Sequence, residues 1–161
     1  MKIGVVSDTH DNTPNVIRIV DLFNAAGVDL VIHTGDITMA RTLDVMAGLR
    51  APMMGVFGNN DTLREELECA CARHGFSFGD PPLTLSLGGR EIAVVHDPRD
   101  FGNLDVTRFD LLLHGHVHSR VIDRRENRLQ FNPGECAGML PGRNAVGVVE
   151  LGSLKPDLLL F

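Results

Sequence analysis

The 161-residue chain contains no tryptophan and no tyrosine, and it has only three cysteines. Without the two large amphipathic aromatics, an exposed stacking platform is poorly supported, and the core must rest on Val, Ile, Leu, Met and Phe. The cysteine count is odd, and Cys69 and Cys71 stand two apart in a helix-like stretch, pointing to different faces. A disulfide framework is therefore disfavoured, and zinc chelation by that pair lacks a second Cys or His pair at suitable spacing. Cys136 is read in the same way, as a buried or half-buried thiol. No apolar run approaches the roughly 20 residues of a membrane-crossing helix. The first strand-like run is short, with neither a basic flank nor a cleavage site, so the expectation is a cytoplasmic protein with no membrane partner. A net charge of -6 leaves no broad basic surface, which argues against duplex nucleic acid but not against local binding of a phosphate.

What is present suits a globular fold. Hydrophobic residues make up 43% of the chain and charged residues 22%, and the length matches one domain spanning 1–161. Residues 2–7 form an apolar run, followed by a polar loop and apolar positions at helical spacing from Pro14 to Phe23. Asn12 or Thr13 is placed to cap this helix, with Pro14 at its first turn and Gly27 past its end. The unit repeats, with strands expected at 30–34 and 53–57 and helices at 39–49 and 62–74, giving βαβαβα and a mostly parallel sheet. Beyond Leu83 the rhythm changes to strands. Hairpins are expected around Gly88-Gly89, Glu126-Asn127 and Gly152-Ser153, with a further buried strand at 111–113. The expected fold is α/β: a core of two sheets packed face to face as a sandwich, with helices outside.

Side chains able to bind metal stand just after the buried strands: Asp8 and His10, Asp36, Asn59, His96, and His116 with His118. Loops at the carboxyl ends of strands are where a rigid sheet brings distant positions together. Asp8 and His10 are two apart, as are His116 and His118, and an extended backbone would turn both members of each pair to one side. The set offers carboxylate, amide oxygen and imidazole but no thiolate, which suits Mn, Fe, Zn, Ni or Co better than calcium.

In order, the chain reads Asp8-Thr9-His10, Gly35-Asp36, Gly58-Asn59-Asn60-Asp61, Val95-His96 and Gly115-His116-Val117-His118. This series resembles the calcineurin-like metallophosphoesterases, in particular their small single-domain bacterial and archaeal phosphodiesterase branch. Asn132-Pro133-Gly134 also resembles a segment that this branch carries near its end. The resemblance implies two divalent ions, manganese first, with nickel, cobalt, iron or zinc as alternatives. It assigns Asp8, His10 and His118 to one ion and Asn59, His96 and His116 to the other, with Asp36 shared. The implied catalytic group is Asp36, Asn59, Asn60 and His116, acting with a hydroxide that bridges the metals.

Many members carry a histidine where this chain has Asn60. An amide donates a hydrogen bond but is no general acid, a contribution typically worth about 10² to 10⁴ in rate. The expected activity is therefore hydrolysis of small or activated phosphodiesters, with weak action on monoesters. The alternative is a non-catalytic interaction scaffold resembling the retromer subunit of the same fold, and a homo-oligomer is left open.

The other polar residues receive structural readings. His33 is expected in the core, and His74 at a helix end. Asp61 is expected to favour the start of the helix that follows it, with Asp11 and Asp97 as supports for ligating histidines. Arg99 falls in a solvated loop, and Arg120, Arg124, Arg125 and Arg128 read as charges on an edge strand.

Overall fold

The computed structural model describes residues 1–161. Strands β1 (Lys2–Val6), β2 (Leu30–His33), β3 (Met53–Val56) and β4 (Ser77–Gly79) run parallel, joined by helices α1 (Thr13–Ala26), α2 (Ala40–Met46) and α3 (Arg64–His74). Two strands from the end of the chain, β10 (Ala145–Glu150), antiparallel to β1, and β11 (Lys155–Leu160), antiparallel to β10, complete this sheet in the order β11-β10-β1-β2-β3-β4. The second sheet is β5-β6-β7-β9-β8, from β5 (Leu83–Leu87), β6 (Arg90–Val94), β7 (Leu111–Leu113), β8 (Val121–Arg125) and β9 (Arg128–Asn132). Within it, β6, β7 and β9 are parallel.

Side-chain alternation explains why the first strands read as unbroken apolar runs. Ile3, Val5, Leu30 and Ile32 point between the sheets, where they meet Ile92, Val94, Leu111, Leu113 and Phe131. Val6 and Val31 point the other way, against Val16, Ile19 and Phe23 of α1. Gly4 lies beneath the Phe23 ring: a Cβ there would come within 2.8 Å of it, so the helix can pack this closely only on glycine. Asn12 caps α1 by accepting the amide of Asn15, and Gly27 ends the helix in a left-handed conformation with φ +62°.

Three details depart from the sequence expectation. The parallel run gains a fourth strand, β4, three residues long and too exposed to carry an apolar signal. The second helix stops at Met46 rather than Leu49, and the third starts at Arg64 rather than Thr62. The outer face of the second sheet is covered by two 3-10 turns, Pro98–Asn103 and Val106–Arg108, which bring Phe101 onto Ala93, Val95 and Leu112. No helix is long and apolar enough to cross a membrane.

Candidate metal centre

The carboxyl ends of β1, β2, β3, β6 and β7 open along one edge of the sandwich, and the loops leaving them are laced together by main-chain hydrogen bonds. Asp8 N donates to Gly35 O at 3.0 Å, His10 N to Asp36 O at 3.1 Å, Thr34 N to Val6 O at 2.9 Å and Gly115 N to His96 O at 3.0 Å. The structure brings all seven residues singled out in the sequence to this edge.

Their donor atoms form one chain of short separations. His10 Nε2 lies 3.3 Å from His118 Nε2 and 3.4 Å from Asp36 Oδ2. Asp8 Oδ1 is 3.4 Å from His118 Nε2 and 3.9 Å from His10 Nε2. On the other side of Asp36, its Oδ2 is 3.3 Å from His96 Nε2, which is 3.1 Å from Asn59 Oδ1 and 3.3 Å from His116 Nδ1. Bonds of about 2.0–2.2 Å from a metal to its ligands place neighbouring ligands about 3.0–3.5 Å apart. The spacing therefore fits a cation between the donors.

The hydrogen bonding agrees with that fit. His96 Nδ1 donates to Thr34 O at 2.8 Å, which turns Nε2 towards the centre; burial pushes the pKa of this ring down, but the Asp36 carboxylate beside Nε2 outweighs that and raises it overall. His10 and His118 direct ring nitrogens at one another, and the buried Asp8 Oδ1 has no hydrogen-bond donor at all. A buried carboxylate oxygen without a donor is satisfied by a positive charge placed beside it. Two candidate metal-holding groups share the buried Asp8: Asp8, His10 and His118, and Asp8, Asp36 and His96.

The backbone is unusual here. Asp8 (φ +52°), His10 (+40°), Asp36 (+60°), His116 (+68°) and His118 (+48°) all lie in the left-handed region, at a typical cost of about 1–3 kcal/mol each. The paired residues thus share a side because each is left-handed, not because the backbone is extended, which corrects the basis on which their spacing was read. Close approach requires glycine between them. A Cβ on Gly115 would overlap Ser7 Oγ, and one on Gly58 would overlap Asp36 Oδ1.

The supporting residues carry little signal in the sequence. Asp61 does not cap α3, whose N-cap is Leu63. Instead its Oδ1 accepts the amides of Ile37 and Thr38, both at 2.7 Å, and its Oδ2 those of Gly58 at 2.7 Å and Asp36 at 3.0 Å. One carboxylate thus fastens the Asp36 loop to the Asn59 loop. Ser7 Oγ and His116 N donate to Asp8 Oδ2 at 2.5 and 3.0 Å. Asp97 Oδ2 stands 3.5 Å from His116 Nε2, where it can orient that ring. The pair Asp11 and Arg41 lies to one side.

Asn60 donates its amide to Asp36 Oδ2 at 2.8 Å and its backbone N–H to Asp36 Oδ1 at 2.9 Å. Burial drives the Asp36 carboxyl upward, but hydrogen bonds from His96 and Asn60 outweigh this and hold it below the ordinary carboxylate range. For Asp8 the balance is reversed, and burial raises it. His33 is fully buried, with Gly35 N donating to its Nδ1 and its Nε2 against Thr9 Oγ1. Burial first, then the nearby His96, pushes it down to about 3, so it is a neutral core residue. His74 sits at the end of α3 against Asp44.

Residues 1–153 match the calcineurin-like phosphoesterase superfamily domain. The chain therefore belongs to the calcineurin-like phosphoesterase superfamily, and it is a metal-dependent phosphoesterase. It is 30% identical over 155 residues to the phosphodiesterase MJ0936 of Methanocaldococcus jannaschii, covering 93% of each chain. An archaeal phosphodiesterase of known structure superposes with a TM-score of 0.92 at 27% identity, with both chains covered completely. Vps29 of Entamoeba histolytica, solved in complex with zinc, has a TM-score of 0.68 at 17% identity over 99% of each chain, a likeness of fold alone.

Proposed function

We propose that this chain is a dinuclear phosphodiesterase that hydrolyses small or activated phosphodiesters, built as one domain over residues 1–161 and working in the cytoplasm. The observation that carries this reading is the unbroken series of donor atoms 3.1–3.4 Å apart with Asp36 Oδ2 at its middle. Asp8, His10 and His118 would hold one divalent ion, Asn59, His96 and His116 the other, and Asp36 both. The relatives' phosphodiesterase activity supports a diester substrate. The donor set suits manganese, with nickel, cobalt, iron or zinc as alternatives. Two such ions supply Lewis acidity to the phosphoryl oxygens and make water a competent nucleophile near neutral pH.

The chain's own residues account for the leaving-group preference. Asn60 spends its side-chain donor on Asp36 and has no ionisable proton, so it cannot protonate a departing alkoxide. Above the Asn59 side of the centre lies a cleft of about 500 Å³, walled by Phe57, Arg64, Pro81, Asp97, Arg99 and His116. It has room for a diester arm. A non-catalytic scaffold is the weaker reading, because every donor position is filled by a residue competent to bind metal.

The test is a matrix of Mn²⁺, Ni²⁺, Co²⁺ and Zn²⁺ against bis(p-nitrophenyl) phosphate, with calorimetric metal titration alongside. Turnover should vanish in chelator and in Asp36→Asn, and the variant should bind fewer ions. No turnover with any of the four metals would overturn the proposal.

A further inference from the structure

The centre borders a second, smaller pocket on its His118 side. This cavity of about 210 Å³ is lined by His118, Ser119, Arg120, Gly134 and Arg143, with no apolar residue and no carboxylate. Its charge differs in kind from that of the larger cleft. There Arg64 is bound to Asp80 and Arg99 to Asp97, so both are neutralised. Neither Arg120 nor Arg143 has a carboxylate within ion-pair distance. Glu135, next to the pocket in sequence, is buried and turned towards the amides of Leu140 and Met139 at 3.1 and 3.5 Å. Arg120 is therefore not an edge-strand charge as its sequence neighbourhood suggests. It precedes β8 and faces this pocket.

The pocket is also tied mechanically to the metal-binding loops. Arg120 donates through Nη2 to Arg143 O at 3.0 Å, which joins the two walls. Gly134 has a φ of +118°, and a Cβ there would press within 3.2 Å of Arg120 Cγ, so glycine leaves the arginine its place. Asn132 accepts Gly134 N on Oδ1 at 2.9 Å and donates through Nδ2 to Gly115 O at 3.1 Å. The Asn132-Pro133-Gly134 segment thus links the pocket to the turn that carries His116 and His118. Two exposed guanidiniums without a carboxylate partner, that of Arg120 tied to Arg143 O, line a pocket beside a phosphoester site and match a phosphate, which a guanidinium binds through paired, charge-assisted hydrogen bonds.

We propose that the pocket formed by Ser119, Arg120, Gly134 and Arg143 binds a second phosphate, so that the preferred substrate is a phosphodiester carrying a further phosphate on one arm. The inference rests on the phosphodiesterase reading and names its substrate class. One diester arm enters the large cleft, and the other places its phosphate between Arg120 and Arg143. Both a nucleotide and a simpler phosphorylated alcohol present this chemistry.

Two matched pairs of p-nitrophenyl diesters test it: one built on thymidine 5′-phosphate with and without a 3′-phosphate, the other on propanediol phosphate with and without the second phosphate. The second phosphate should lower KM by about tenfold or more, the scale of one charge-assisted contact. Arg143→Ala should abolish that gain while leaving bis(p-nitrophenyl) phosphate turnover unchanged, and Arg143→Lys should restore part of it. A gain in both pairs, or in the thymidine pair alone, supports the subsite, the latter narrowing it to nucleotides. Equal KM within each pair, or an equal effect of Arg143→Ala on all substrates, overturns it. Calorimetric binding of thymidine 3′,5′-bisphosphate to the wild type and to Arg143→Ala separates the two proposals. Affinity that depends on Arg143 in a protein without turnover would retain the subsite while the phosphodiesterase reading failed, and turnover without such dependence would do the reverse.

Discussion

Replacing Asp61 by Asn nearly preserves shape while removing the charge that joins two metal-binding loops. Each of its oxygens accepts two backbone amides, from Ile37 and Thr38 on one and from Asp36 and Gly58 on the other. The substituted side chain has one oxygen and one NH₂ group, so whichever way it turns, two of the four amides face a donor. Hydrogen bonds to a charged acceptor contribute about 1.5–3 kcal/mol each, and losing two gives about 3–6 kcal/mol. That is a large part of the 5–15 kcal/mol typical of a folded domain. Denaturant unfolding of the metal-free protein at pH 7 should show a lower midpoint with an unchanged m-value. Because the clamp orients Asp36 and Asn59 without touching a metal, manganese affinity should also fall by about 10- to 100-fold. A loss below about 1 kcal/mol with unchanged metal affinity would refute the clamp.

Two further substitutions probe the chemistry and the core. Asn60→His should raise turnover of alkyl diesters by up to about 10² while leaving activated aryl diesters nearly unchanged, because only a basic leaving group needs the proton; equal effects on both would remove the general-acid argument. His33 has its folded pKa pushed down to about 3 from 6.5. The unfolded chain therefore binds the extra proton, and the stability His33 contributes is complete above pH 6.5 and lost as pH falls towards 3. The slope is up to about 1.4 kcal/mol per pH unit. Unfolding of metal-free His33→Gln between pH 7 and 4 should be flatter than wild type by that slope, and parallel curves would contradict the burial argument.

The strands were legible because their physics is local. A strand covered on both faces, such as Val31 between α1 and its neighbours, must be apolar throughout, and Gly or Pro marks where it ends. Ser77–Gly79 carries no such signal because an edge strand of three partly exposed residues needs neither property. Residues 58–63 obscure the true start of α3, since Asp61 resembles a cap in the sequence while three of the four amides on its carboxylate lie 23 to 25 positions away. No local pattern encodes such a bond. The donor types at the centre were equally legible, because each follows a buried strand. Their backbone was not, because Asp and His give no sign of adopting positive φ when the constraint comes from other loops.

These supports explain how the donor set keeps its shape. Asp8, His96 and His116 are each fastened through one atom and leave another facing inward. Asp8 gives Oδ2 to Ser7 and the His116 amide and keeps Oδ1 free. His96 anchors Nδ1 on Thr34 and presents Nε2, while His116 has Asp97 near Nε2 and turns Nδ1 towards His96. Two of these anchors, His116 N and Thr34 O, are backbone groups, which cannot rotate away, and Asp8 and His116 themselves stand in the left-handed region. Anchors of this kind hold ligating side chains in place and so reduce the ordering entropy that opposes binding. The same arrangement places the sensitive positions outside the ligand set. Gly58, Gly115, Asp61 and Asn132 touch no metal in the proposed scheme, yet each fixes a loop on which two or more ligands depend.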